Sequence, residues 1–402
     1  MSQAYLARQP IFDSQLNVLY YELLYRHMVA DTAVIDDDDE ATAELLNTAM
    51  VEIGLENLTN NRQAFINLSR NYILGKWPVP LDAKRIGLEI AYDMTFDKEL
   101  LDAVRGLKSK GFTITLDGFE YSPSLDAILK LVDIVKLDVQ QLGREGTVAQ
   151  YRILRRLPLK VAAKKVESKR DFRLFRELGF DYFQGFFFAH PTVVAARKLA
   201  PNQINTMQLL AKVQDPGVSV DELEEIISHD VALSVKLLKY INSAFFGLPR
   251  EFESIRQAIV YLGLKPLKTW VSLIIMSGVE DQPVELMRLS LVRAKMCETL
   301  AGTMGDAEPQ KYFLAGLFSA LDTLLGVPML KILESLPLSE GVQKALLNRE
   351  GPIGHVLQCV VDHERGGWDG DTYEEIDPES VTRSYTAAVG WADDALRVVR
   401  AL

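Results

Sequence analysis

Cysteine is almost missing from this chain: Cys297 and Cys359 are the two present in 402 residues, too few for a disulfide framework. Positive charge is also in deficit, with 44 Lys and Arg against 55 Asp and Glu and a formal net charge of -11. That balance argues against a protein that coats nucleic acid, which needs a basic face for phosphate. Arg152, Arg155 and Arg156 with Lys160 form one basic cluster, and they read as a solvated helix face. No apolar run approaches the ~20 residues of a membrane-crossing helix. The opening Met1-Ser2-Gln3-Ala4-Tyr5 lacks the basic and apolar regions of a secretion signal. No phosphate-binding loop, dinucleotide glycine pattern or Ser-His-Asp arrangement stands out. These absences predict a cytoplasmic protein with no nucleic-acid partner and no membrane span.

What is present is ordinary globular composition, 48% hydrophobic and 25% charged, in a chain long enough for two domains. Residues 1–196 alternate short β-rich runs with helical patterns. Lys98–Lys108 and Asp171–Leu178 have helical spacing and stop at Gly111 and Gly179; Phe112–Leu116, Ile134–Leu137 and Val161–Ala163 read as strands between them. A helix is also expected over Ala41–Ile53, behind the acidic run Asp36–Glu40, which reads as a helix start. Repeated βα units predict a TIM-like (β/α) barrel with its chemistry at the carboxyl ends of the strands. From residue 197 to 402 apolar residues recur at three and four, as in Leu209, Leu210, Val213 and Leu223, Ile226, Ile227, so this half is predicted all-α.

The strand-like runs end on an acidic set with gaps. Glu22 follows Val18–Tyr21, Asn67 follows Ala64–Ile66, Glu89 follows Ile86–Leu88, Asp117 follows Ile114–Leu116, and Lys136 follows Asp133–Val135. Carboxylates gathered at a barrel mouth are what a metal-dependent hydrolase needs.

Ala7-Arg8-Gln9-Pro10-Ile11-Phe12-Asp13 followed by Tyr21-Glu22-Leu23-Leu24-Tyr25-Arg26 resembles the start of bacterial proteins that join an EAL domain to an HDOD domain. EAL domains are barrel phosphodiesterases that linearise cyclic di-GMP with two divalent cations. The resemblance implies metal-binding roles for Glu22, Asn67, Glu89 and Asp117, and a nucleotide pocket of Leu24, Arg26, Asp117, Lys136 and Gln184. It also shows departures. Gly118 stands where the family has a second aspartate, Tyr92 where it has a later acid, and Lys164 at the general base in Ala163-Lys164-Lys165-Val166-Glu167. A base must accept a proton, and a lysine at neutral pH already carries one. One carboxylate lost and one ammonium gained within ~4–6 Å weigh against divalent binding by several kcal/mol at an effective dielectric of ~20. No catalytic residue and no metal are therefore expected, with Lys136 and Glu167 vestigial; Mg or Mn enters only with residual phosphodiesterase activity. The surviving acids read either as hydrogen-bonded strand-end residues or as remnants of a ligand site.

The second half resembles HDOD, a relative of HD phosphohydrolases without their ligands, in Asp221–Ile227, Asp230–Leu233 and Leu237–Gly247. Ser319 and Ala320, in Gly316-Leu317-Phe318-Ser319-Ala320, fall where the metal dyad belongs. His229-Asp230 reads as a helix-end cap rather than a dyad. His355, Cys359 and His363 cannot share one zinc, since eight helical residues span ~12 Å. Phe245-Phe246 before Gly247 reads as a core plug ending a helix, or as a lip for a partner. The leading expectation is a disarmed enzyme working through protein–protein contacts, with an unnamed protein partner and, from resemblance, a homodimer. A metal-independent cyclic di-GMP receptor and a residual phosphodiesterase are the rivals.

Overall fold

The computed structural model describes residues 3–28, 55–59, 61–76, 82–188, 201–215, 217–246, 252–278, 283–366 and 376–400. The expected helix over Ala41–Ile53 and the acidic run Asp36–Glu40 lie outside the described residues. The chain divides into two compact units, with the boundary at His190/Pro191.

The first unit is a closed eight-stranded barrel of β1 (Gln3–Phe12), β2 (Val18–Met28), β3 (Gln63–Asn67), β4 (Ile86–Ala91), β5 (Ile114–Asp117), β6 (Ile134–Asp138), β7 (Lys160–Lys164) and β8 (Tyr182–Gln184), in that order. It is not wholly parallel, as the βα reading implied. β1 runs antiparallel to both β2 and β8, and the remaining neighbours are parallel. The cause is the short link after β1: a parallel return needs a crossover of a dozen or more residues, whereas a tight turn gives a hairpin. Asp13 shapes that turn, its side chain accepting from Gln15 N at 2.8 Å and Asn17 N at 2.9 Å.

Helices follow the strands because polar residues start them on time. Asp97 accepts from Leu100 N at the head of Lys98–Ser109, Asp138 from Gln140 N and Gln141 N before Val139–Leu154, and Ser168 from Asp171 N before Lys169–Leu178. The last of these stops at Gly179, whose φ of 97° is left-handed.

The second unit is helical among its described residues. Its core is Val284–Thr303, with residues such as Leu286, Leu291, Ala294 and Leu300 fully buried. Pro309–Phe318 and Pro378–Arg400 pack on it. Trp270, Trp391, Tyr240, Phe245 and Phe313 fill the space beside them, the two tryptophan rings 5.6 Å apart. Phe245 and Phe246 are therefore part of an aromatic cluster within the unit. Asn242 clamps the next loop by giving Nδ2 to Phe252 O and taking Phe252 N, each at 2.8 Å.

Gly316 marks the tightest helix crossing: a Cβ there would lie 2.5 Å from Arg293 O and 2.6 Å from Ala294 Cα. Overpacking of this kind costs about 1–3 kcal/mol. Gly316→Ala should lower unfolding stability by that amount in urea titration, and an unchanged midpoint would show that the helices separate freely.

Candidate functional site

Barrels of this size fill their interior with layers of side chains drawn from alternate strands. Here one layer is polar. Glu22 of β2, Glu89 of β4, Lys136 of β6 and Gln184 of β8 all point inward and are 6%, 0%, 1% and 2% exposed. They lie within their strands or, for Gln184, at the end, and not all at strand ends as the runs suggested: β2 continues six residues past Glu22 to Met28. Above them the odd strands contribute Asn67, Asp117 and Lys164, each the last residue of its strand and nearer solvent.

Lys136 joins the lower layer. Its Nζ is 2.7 Å from Glu22 Oε2 and also contacts Glu89 Oε1. Glu22 receives two more bonds, from Gln184 Nε2 at 2.6 Å and Asn67 Nδ2 at 3.2 Å. Gln9, opposite Glu22 on β1, accepts from Gln184 Nε2 at 2.7 Å.

One ammonium cannot hold two buried carboxylates charged, and the hydrogen bonds decide between them. Burial would raise Glu22, but the charge of Lys136 and the bonds from Lys136 and Gln184 outweigh it and bring the carboxyl down to about 2. Burial, followed by the neighbouring charge of Glu22, pushes Glu89 up to about 8 despite Lys136. Glu89 has Lys136 at Oε1 but no counterpart to the amides that serve Glu22, so it keeps its proton through neutral pH. Burial disfavours the charge on Lys136, but the two glutamates more than offset it and its pKa rises.

The upper layer is held by lysine. Lys164 Nζ lies 2.8 Å from Asp117 Oδ2 and 4.0 Å from Asp138 Oδ2, while Lys165 Nζ lies 2.8 Å from the same Asp138 oxygen. Burial raises Asp138, and Lys165 with the backbone N–H of Gln141 brings it below the usual range. Counting Glu22, Asp117 and Asp138 as anions, Glu89 as neutral and Lys136, Lys164 and Lys165 as cations gives 3 − 3 = 0 at the mouth. Two close divalent cations need several carboxylates free to face them. Among the described residues no group of three or more His, Cys, Asp or Glu is placed to hold a metal ion. Buried oxygens without a hydrogen bond do remain here, Asp117 Oδ1 and Gln184 Oε1. Lysines therefore stand against the carboxylates that a two-cation centre would use, Lys136 at Glu22, Lys164 at Asp117 and Lys165 at Asp138.

The gap at Gly118 has a filled counterpart. Gly118 has a φ of +76°, and a Cβ on it would come 3.2 Å from Tyr92 Cδ1. The two positions that resemblance marks as missing acids thus pack against each other.

Most of the sequence-predicted residues converge: Glu22, Asn67, Glu89, Asp117, Lys136, Lys164 and Gln184 line one mouth. Glu167 does not join them; it is exposed and takes a bond from Gln140 Nε2. Leu24 sits on β2 opposite Ala7, and the Arg26 side chain lies outside the described residues. Gln9, Asp138 and Lys165 were missed. Asp138 was findable, because Lys136 and Asp138 are two apart on a strand and share a face.

In the helical unit, the segment expected to have lost a metal dyad carries Ser319, whose Oγ accepts from the buried Arg293 Nη1 at 3.1 Å. His229 closes Val220–Ser228, its Nδ1 2.7 Å from Glu225 O, and Asp230 starts the next helix through Leu233 N. His355 is exposed, while Cys359 and His363 are fully buried on the same helix, Gly351–Glu364.

The chain matches the EAL domain family over residues 3–191 and the HDOD domain family over residues 200–335. Over 408 positions it is 33% identical to the cyclic di-GMP phosphodiesterase CdgJ of Vibrio cholerae, covering 99% of this chain and 94% of that protein. It is 30% identical over 407 positions to the uncharacterized protein YuxH of Bacillus subtilis, covering 98% of this chain and 99% of that one. Among solved structures it is similar to an EAL domain protein from Listeria monocytogenes, at 25% identity and a TM-score of 0.37, covering 46% of this chain and 87% of the other.

Two outcomes follow from this packing. Gly118→Asp should lose about 1–3 kcal/mol through its backbone conformation and its approach to Tyr92. In a double-mutant cycle with Tyr92→Ala the losses should be non-additive by ~0.5 kcal/mol or more in urea unfolding; simple additivity would show no contact. Glu89, protonated in the folded chain and ionised in the unfolded one between about pH 4.5 and 8, gives stability that is complete below that window and lost as pH rises through it. Melting temperature should therefore decline across the window, and Glu89→Gln should flatten the decline; an equal slope in both proteins would remove Glu89 as its source.

Proposed function

The chain belongs to the EAL–HDOD two-domain family, and from that premise we propose that it acts in cyclic di-GMP signalling through its barrel. The finer reading that the geometry supports best is a cytoplasmic receptor that binds the dinucleotide without cleaving it. The observation that carries it is Lys164, the residue at the general-base position, paired through Nζ with Asp117 Oδ2 at 2.8 Å. An ammonium in an ion pair donates protons and accepts none, so the step that activates water has no base there. The same lysine suits binding. A cyclic dinucleotide carries two anionic phosphodiesters, and Lys164 with Lys165 places fixed positive charge at the mouth without a divalent ion. Arg26, from its place on β2, is a further candidate for phosphate. The helical half serves to dock a partner protein, with no metal chemistry of its own.

A second reading is favoured by a specific finding: a relative matched over nearly the whole chain is named a cyclic di-GMP phosphodiesterase. The comparisons alone support that reading better than the receptor. It needs Mg or Mn, for which the mouth described above offers a poor set of anionic oxygens.

Purified full-length protein decides between them. Calorimetry with cyclic di-GMP in chelator should show binding, at least tenfold weaker in Lys164→Glu, and chromatography after incubation with manganese should show no linear product. Linear product that depends on manganese and vanishes in Glu22→Ala establishes the phosphodiesterase and rejects the receptor. A silent titration at high dinucleotide concentration rejects binding and leaves the barrel as a protein scaffold.

A further inference from the structure

A groove of about 860 Å³ opens between two helices of the second unit, Pro201–Gln214 and Val220–Ser228. Its walls are helix stripes. Glu222, Glu225, Ile226 and His229 stand at i, i+3, i+4 and i+7 on one side, and Leu209, Lys212 and the following Asp215 on the other. Leu209, Val218 and Ile226 supply apolar surface within it.

The charges on the two faces of Val220–Ser228 are handled differently. Asp221 and Glu224, which turn away from the groove, pair with Arg256, with Glu224 Oε2 2.8 Å from its Nε. Leu223 and Ile227 are fully buried and anchor the helix. Glu222 and Glu225 have no ion pair among the described residues; Glu222 closes a capping box with Ser219 and keeps its charge. On the opposite wall, Lys268 Nζ binds Asp215 O and Gln214 Nε2 gives a 2.9 Å bond to Ser272, so that helix is held from behind. The groove is thus braced by contacts outside it. Its lining carries Asp215, Glu222, Glu225 and Asp230 against Lys212, a balance of 1 − 4 = −3 with His229 neutral.

We infer that this groove docks an amphipathic helix of a partner protein, with a narrow apolar stripe and Lys or Arg along one flank. The apolar stripe meets Leu209 and Ile226, as helix-in-groove recognition requires. The basic flank faces the Glu222–Glu225 wall, and the flank toward Lys212 is neutral or acidic. A second copy of the chain fits less well, because its net charge of -11 repels an acidic groove. The inference rests on the docking role proposed for the helical half and names the kind of partner. It is independent of whether the barrel binds or cleaves dinucleotide.

The test uses the full-length protein and a synthetic amphipathic helix of roughly 18 residues, about five turns, with leucines on one stripe and lysines on one flank. Two controls are a peptide of the same composition in scrambled order and an acidic twin with glutamate for lysine. Fluorescence anisotropy should show the basic helix binding at least tenfold more tightly than either control, and Glu225→Lys should weaken it at least tenfold. Ile226→Ser, with an unchanged far-ultraviolet spectrum, should also weaken it and separates groove contact from charge attraction. Equal binding of the scrambled peptide would mean charge attraction alone and would overturn the inference. So would binding that survives both substitutions, or no binding at all.

Discussion

A barrel interior has to be filled, and this one places an ammonium where another barrel would place a methyl group. Lys136, 1% exposed, touches carboxylates from two other strands, Glu22 of β2 and Glu89 of β4. Three ionisable groups removed from water together are tolerable only if their charges cancel and their hydrogen bonds are met. Glu22 meets that demand with partners from β3, β6 and β8, so it takes the charge. Glu89 shares Lys136 but has no amide donor beside it among the described residues, and takes the proton. The polar layer therefore also fixes relative strand positions: a one-residue slip of β6 would turn Lys136 outward and leave the glutamates facing each other.

The upper layer depends on that neutral floor. Asp117 and Asp138 would otherwise sit above a negative cavity and would attract cations from solution. Instead each has a lysine, and Asp138 has a second duty in starting the helix behind β6. Two of the positions that depart from the EAL pattern are physically linked. A carboxylate returned to position 118 meets the Tyr92 ring, and one returned to position 164 leaves Tyr92 and Gly118 as they are. Tyr92 and Gly118 thus form one packed pair, while Lys164 is held separately by Asp117.

Much of this was legible in the sequence, for identifiable reasons. The strands and most helix ends were readable because polar caps and glycines sit where backbone groups need them, as at Asp97, Ser168 and Gly179. The converging acids and lysines were readable because short apolar runs lead into each of them. The antiparallel β1 was not, because the βα pattern of the later units was extended back over a hairpin whose signal is one short turn at Asp13–Asn17. The depth of Glu22, Glu89 and Lys136 was also hidden. A run of β-formers tells which residues alternate, but how far a strand continues past an inward side chain depends on its neighbours' register. The Tyr92–Gly118 contact joins positions on two strands' ends and leaves no pattern along the chain.

The helical half repeats the logic of the barrel in different chemistry. Where resemblance to HD hydrolases places a metal ligand, Ser319 takes a hydrogen bond from the buried Arg293 guanidinium. Burial raises the nearby Asp322, and the charges of Arg293 and Arg349 pull the other way. In both halves a covalently attached cation stands among residues that resemblance assigns to a metal site, Lys164 in one and Arg293 in the other. A tethered side-chain cation needs no supply from solution and costs no release on ligand exchange, but it cannot polarise a bound water as a divalent ion does. In each half that cation is paired within the described structure, Lys164 with Asp117 and Arg293 with Ser319.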